Sequence, residues 1–345
     1  VAINPVTNKI YVANRGSNNV TVIDGATNDP TPVVAGTQPF AVAINPVTNQ
    51  IYVANNGSAN VTVIDGATNS PTTVTVGSFP AAVAINPVTN KIYVANQISN
   101  NVTVIDGATN STTPVAVGSF PIAVAINPVT NKIYVANFSS ANVTVIDGAT
   151  NSPTTVAAGT NPYAVAINPV TNKIYVANFN SNNVTVIDGA TNTVVTTVAA
   201  GFFAVAVAIN PVTNKIYVAN RGDNNVTVID GATNSPTNVT VGTNPTAVAI
   251  NPVTNKIYVA NNSSNNVTVI DGATNGTTSV SVGSFPFAVA INPVTNKIYV
   301  ANASSANVTV IDGATNSTTT VAAGSGPNAV AINPVTNKIY VANYN

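Results

Sequence analysis

Apolar and polar positions alternate in short extended runs, and turn-forming residues interrupt them about every ten positions. The clearest copy of the pattern predicts four strands. Strand A is Ala82 to Ile85, closed by the turn Asn86-Pro87-Val88-Thr89-Asn90. Strand B is Lys91 to Asn96, followed by small and polar residues. Strand C is Val102 to Asp106 and ends at Asp106-Gly107, a strong turn signal. Strand D is Thr113 to Val117, broken by Gly118 and Pro121. Ile92-Tyr93-Val94-Ala95 is apolar on both faces, so a four-strand unit of this kind needs a neighbour on each side.

The unit recurs along the whole chain. The first Asn of Asn-Pro-Val-Thr-Asn falls at 4, 45, 86, 127, 168, 210, 251, 292 and 333, so every spacing is 41 except one of 42. The added residue lies between Asn192 and Gly201. Asn-Val-Thr-Val-Ile-Asp-Gly-Ala-Thr-Asn occurs eight times between these nine copies, giving eight full periods and a C-terminal A–B hairpin. A period of about 40 residues with four strands fits a propeller blade, whereas the coils of a β-helix are shorter. The expected fold is therefore all-β: one β-propeller domain over residues 1–345, built of four-stranded antiparallel blades. Eight blades are favoured, with Ala329 to Asn343 completing the first unit in place of residues 1 to 14. The alternative is nine blades with the last incomplete.

A B–C hairpin in this register sets Asn96 opposite Asn101, Ile92 opposite Ile105 and Lys91 opposite Asp106. The same arithmetic pairs Lys9 with Asp24 and five further Lys with Asp, while Gln50 replaces Lys in the second unit. Such exposed pairs contribute about 0–1 kcal/mol each.

Composition agrees with the strand reading. Leu, Glu, Met, Cys, Trp and His are absent, and β-branched residues fill the apolar positions. Ten Lys plus Arg balance ten Asp, which leaves no basic footprint for nucleic acid and no polybasic segment for a lipid surface. No apolar run approaches the ~20 residues of a membrane-spanning helix, so no membrane insertion is expected. Val1 lies in mid-repeat, which places the start of the array upstream of it, and no signal peptide is visible.

Ile92-Tyr93-Val94-Ala95-Asn96 and Val102-Thr-Val-Ile-Asp-Gly-Ala-Thr-Asn110 resemble the units of the YVTN-repeat β-propeller family, with Ala in place of the Thr of YVTN. Asp188-Gly-Ala-Thr-Asn-Thr-Val-Val195 follows the family pattern into strand D. The resemblance extends over the whole chain. It implies a surface-layer or secreted protein, located outside the cell or on its surface, that serves as a scaffold or binding module. The near identity of the units points to recent amplification or to design.

In a four-strand meander the A–B and C–D turns share one end of each blade, and these hardly vary. The B–C and D–A loops share the other end and differ between units. Arg15, Phe138, Phe179 and Arg221 occupy one equivalent B–C position, while Phe40, Tyr163 and Phe287 lie at D–A positions close to Phe79, Phe120 and Phe203. These ten residues are the candidate binding residues, with aromatic anchors and two arginines on one face. The competing reading is that the phenylalanines fill gaps between blades. A protein, peptide or glycan is the expected partner, and near-identical units also favour self-association. The alternatives are a structural surface-layer element, or an amplified or designed propeller with no evolved ligand.

Other motifs have plainer readings. Arg221-Gly222-Asp223 is aligned with Arg15-Gly16-Ser17 and reads as drift. The Asn-Val-Thr triplets match a glycosylation acceptor but also suit an Asn that leads into a strand. One Asp per unit does not gather the six to eight oxygens of a calcium site. Haem, copper and zinc sites need His, Met or Cys, and no two acids form a catalytic pair. The sequence thus predicts no metal, no cofactor and no enzyme.

Overall fold

The computed structural model describes residues 1–344, and every regular element among them is a β-strand. Eight four-stranded sheets succeed one another, each a meander in chain order, and Pro327–Asn333 with Lys338–Asn343 forms a separate two-stranded sheet. The fold is all-β, with eight four-stranded antiparallel blades of the propeller type. Residues 1–4 and 9–14 pair within the first blade, so the C-terminal hairpin does not displace them as expected. The first unit carries its own A and B strands in register, and its edge is already satisfied.

The chain forms two compact units, residues 1–167 with 189–193 and residues 168–188 with 194–345. The same packing recurs inside each. In the first, Tyr93, Val102, Val104 and Val115 of the third blade cluster with Ile133, Val135 and Ile146 of the fourth. In the second, Tyr258, Val267, Val269 and Val280 cluster with Ile298, Val300 and Ile311. Both faces of a blade are thereby covered, which explains the lack of a polar face in strands B and C.

The turns explain the abundance of asparagine. A left-handed residue closes nearly every turn, at intervals of about ten, as at Asn8, Asn18, Asn28 and Gln38. Asn tolerates this region better than other residues that carry a Cβ. In the C–D turn the Asp106 carboxylate accepts the N–H groups of Ala108 and Thr109. Those bonds, with that of Thr109 foremost, hold its carboxyl below the usual range. Gly107 donates its N–H to the Asn90 carbonyl at 2.8 Å, and a Cβ there would lie 2.7 Å from that oxygen, so the approach admits only glycine.

Lys91 lies opposite Asp106 and Asn96 opposite Asn101, as expected. The lysine ammonium, however, reaches onward to the next blade, where it donates to the carbonyl of Gly148 at 2.8 Å. Lys9 does the same to Gly66, and in the second unit Lys256 does so to Gly313. The fourth residue of each repeat adds a second latch. Buried Asn251 donates through Nδ2 to Asn296 Oδ1 at 2.9 Å and accepts the Val253 N–H at 3.1 Å. Asn251→Ala takes away the partner of both groups at a fully buried position. It should cost about 2 kcal/mol of unfolding free energy, measured by urea titration.

Candidate loop-face binding site

Strand A of the second, third, fourth, sixth, seventh and eighth blades enters its sheet through a bulge. In the second blade Pro39 lies opposite Asn55 and Ala41 opposite Ala54, which leaves Phe40 between them outside the register. The same irregularity frees Ala81, Ile122, Val205 and Phe287 in their blades. In the sixth unit the freed residue is Val205, five places before Asn210 as Phe40 is before Asn45. A bulge bends the strand and re-aims the extra side chain.

The residue two places before each bulge is left-handed. Gln38, Asn161, Asn244 and Gly326 fill this position in four units with φ of 54°, 56°, 62° and 64°. Phe79, Phe120, Phe203 and Phe285 fill it in the others, with φ of 57–61°. A bulky aromatic side chain is an outlier in this region. Hydrogen bonds on both sides hold it there: Phe120 donates its N–H to Asn100 Oδ1 at 2.9 Å and accepts that of Phe138 at 3.0 Å. The rings stay open to solvent, with 37%, 39%, 42% and 44% of the surface of Phe79, Phe120, Phe203 and Phe285 exposed. They do not act as buried plugs between blades.

In the unit of residues 1–167, Phe40, Phe120, Phe138 and Tyr163 line a cavity of about 370 Å³ together with Ala81, Gln97 and Ile122. The centroids of Phe120 and Phe138 are 6.2 Å apart, and Tyr163 meets Phe138 edge-on at 6.3 Å. Arg15 sits over the Phe40 ring at 5.9 Å. Phe79 lies outside this lining. In the second unit Phe179 stacks on Phe203 at 4.6 Å with 22° between ring planes. Arg221 donates its N–H to the Phe203 carbonyl and its Nε to Asn244 Oδ1. Phe287 is exposed at the bulge of the eighth blade.

Seven of the ten predicted residues thus meet another of the set in a ring contact, a cation–π contact or the cavity wall, and Arg221 bonds to Phe203 through its backbone. Ala81, Gln97 and Ile122 complete the cavity and were absent from the candidate set. Their signal was present in the loops, since Gln97 shares the position of Phe138, and Ala81 and Ile122 that of Phe40.

Two of the plainer motifs have structural roles. Asp223 Oδ2 accepts the Phe202 N–H at 2.9 Å, the task that Ser140 Oγ performs for Ser119. The Asn of the Asn-Val-Thr triplets caps the B–C hairpin, as where Asn101 Oδ1 accepts Asn96 Nδ2 at 2.7 Å. Among the described residues no group of three or more His, Cys, Asp or Glu side chains is placed to hold a metal, and no helix is long and apolar enough to cross a membrane.

Residues 161–281 match the family described as Lactonase, 7-bladed beta-propeller. The likeness covers about a third of the chain. It overturns the expectation that the protein is not an enzyme. Absence of His, Cys and Glu removes those groups alone, while Asp, Tyr, Thr and Asn remain in the chain. No curated protein matches the sequence. Among solved structures, the fold is similar to Dihydro-heme d1 dehydrogenase NirN in complex with DHE, at 13% identity and a TM-score of 0.76, over 95% of this chain and 75% of that one. It is similar also to apo AztD from Citrobacter koseri, at 14% identity and a TM-score of 0.65, over 93% and 95%. The hydrazine synthase of Kuenenia stuttgartiensis aligns at 23% identity and a TM-score of 0.58, over 79% and 95%. These likenesses establish the propeller fold alone.

Proposed function

We propose that the loop face of the residue 1–167 unit binds an uncharged glycan, with sugar rings packed against Phe120, Phe138 and Tyr163. The observation that carries this reading is the set of half-exposed phenylalanines in a backbone conformation that their counterparts fill with Asn, Gln or Gly. Strain of this kind, costing about 1–3 kcal/mol per site, clusters where function maintains it. The cavity of about 370 Å³ falls within the ~300–1,000 Å³ of small-molecule sites. Its lining is apolar apart from Gln97 and the Tyr163 hydroxyl, which suits a ligand with an apolar ring face and a few hydroxyls. The resemblance to YVTN-repeat proteins extends the reading to display of this face outside the cell.

Calorimetric titration of the chain against a panel of neutral oligosaccharides tests it. One or more should bind saturably, and Phe138→Ser with Tyr163→Ser should weaken that affinity at least about thirtyfold, as for hot-spot aromatics. Binding that both substitutions leave intact, or binding only to aromatic peptides, would refute the glycan reading. A second reading, hydrolysis of a lactone, is supported by the family match over residues 161–281. Turnover of a simple lactone by the same preparation would favour it.

A further inference from the structure

Within the unit of residues 1–167, B–C loop residues lean on the strand A entry of the following blade. Arg15 sits over Phe40 at 5.9 Å, and Phe138 meets Tyr163 at 6.3 Å. Asn56 fills the same position in the second blade, where it is buried and donates through Nδ2 to the Pro80 carbonyl at 3.3 Å. In the other unit Asn262 repeats that bond with Pro286, again at 3.3 Å. Asparagine at this place is thus tied to the protein's own backbone. Gln97 is the equivalent residue of the third blade and is one methylene longer. Its backbone N–H donates to the Phe79 carbonyl at 3.0 Å, which fixes the root of the side chain. The residue is half-buried and forms part of the cavity wall, with Phe120, Phe138, Ala81 and Ile122 around the same space. Ala81 holds the bulge position that Phe40 and Tyr163 fill with rings, so the third blade contributes a recess and a carboxamide.

We infer that Gln97 selects the ligand by a pair of neighbouring hydroxyls. The inference rests on the glycan reading above and narrows it to glycans whose internal units keep two adjacent hydroxyls free. A carboxamide presents an acceptor and a donor side by side. Two gauche hydroxyls on adjacent carbons of a pyranose ring meet both at once, one donating to Oε1 and the other accepting from Nε2. An isolated hydroxyl engages only one of the two and leaves the other unpaired among apolar side chains, which costs affinity. The sugar edge then meets Gln97 while its apolar faces pack on Phe120 and Phe138.

The test is calorimetric titration of the intact chain with cellohexaose and with laminarihexaose. Both are neutral β-linked glucans with the same ring faces. The 1→4 linkages of the first leave the 2- and 3-hydroxyls free on each internal unit, and the 1→3 linkages of the second remove that pair. Cellohexaose should bind roughly tenfold more tightly, the worth of one or two hydrogen bonds. Gln97→Leu, which keeps the bulk and drops the amide, should erase the preference. Gln97→Asn should erase it too, although it retains a carboxamide, because the shorter side chain turns to the Pro121 carbonyl as Asn56 does to that of Pro80. Unchanged circular dichroism of both variants would show that the fold is kept. Equal affinity for the two glucans, or a preference that survives Gln97→Leu, would overturn the inference and leave the glycan reading standing. Binding of neither glucan would overturn it as well, and the oligosaccharide panel would then decide the glycan reading by itself.

Discussion

Raising the pH above 10 will unfold the protein in a cooperative step, with tyrosinate absorbance and loss of β-sheet circular dichroism appearing together. Tyr11, Tyr52, Tyr93, Tyr175, Tyr217 and Tyr258 have no exposed surface. Burial pushes each hydroxyl up to about 12 from its ordinary value of 10. A smaller contribution comes from an Asp of the following blade, such as Asp106 for Tyr52 and Asp271 for Tyr217. Because the folded value lies above the unfolded one, these groups add their full stability below pH 10 and lose it as the pH rises toward 12. In that window the unfolded chain gives up protons that the folded chain retains. Each tyrosine then removes about 1.4 kcal/mol per pH unit, so six remove roughly 8 kcal/mol, comparable to the whole stability of a typical domain. The midpoint should therefore fall near pH 11. Tyrosines that titrate one by one near pH 10 with the dichroism unchanged would show that the rings meet water.

Replacing Phe79, Phe120, Phe203 and Phe285 with Asn should stabilise the chain by about 2–4 kcal/mol in total while it weakens ligand binding. The left-handed region costs most L-residues roughly 1–2 kcal/mol, and Asn less. The four positions lie in separate loops, so their effects should add. Urea unfolding of the fourfold variant measures the gain. The single change Phe120→Asn alone removes a ring from the cavity wall and should carry most of the loss of affinity, whereas Phe79→Asn lies outside the lining and should carry little. A net destabilisation would show that the rings contribute more through packing between loops than the backbone conformation costs.

Local order along the chain is legible because a strand writes its pairing into a period of two. The pattern sets strand C at Val102 to Asp106, and it spans Asn101–Asp106; it sets strand D at Thr113 to Val117, and that strand spans Thr112–Ala116. The B–C register emerges from the turn length alone. Relations between blades are not legible in this way. Lys91 and Asp106 share a register, yet the amine of Lys91 bonds 57 residues downstream, at Gly148. The candidate aromatics stand out by the variability of their loops. Their backbone strain does not, although it is encoded in the sequence. Gly-Thr-Asn-Pro at Asn161 and Asn244 marks the position as left-handed, and Gly-Ser-Phe-Pro at Phe79 and Phe120 breaks the rule. The bulge is hidden because one extra residue at a strand's entry does not disturb the alternation beyond it.

The lysine and asparagine latches each join one blade to its immediate successor, through side chains at fixed places in the 41-residue repeat. A gene encoding such units misaligns readily during copying, and the gain or loss of a whole period recreates every joint at the new seam. Any one period could therefore be added or removed without the loss of a single kind of joint.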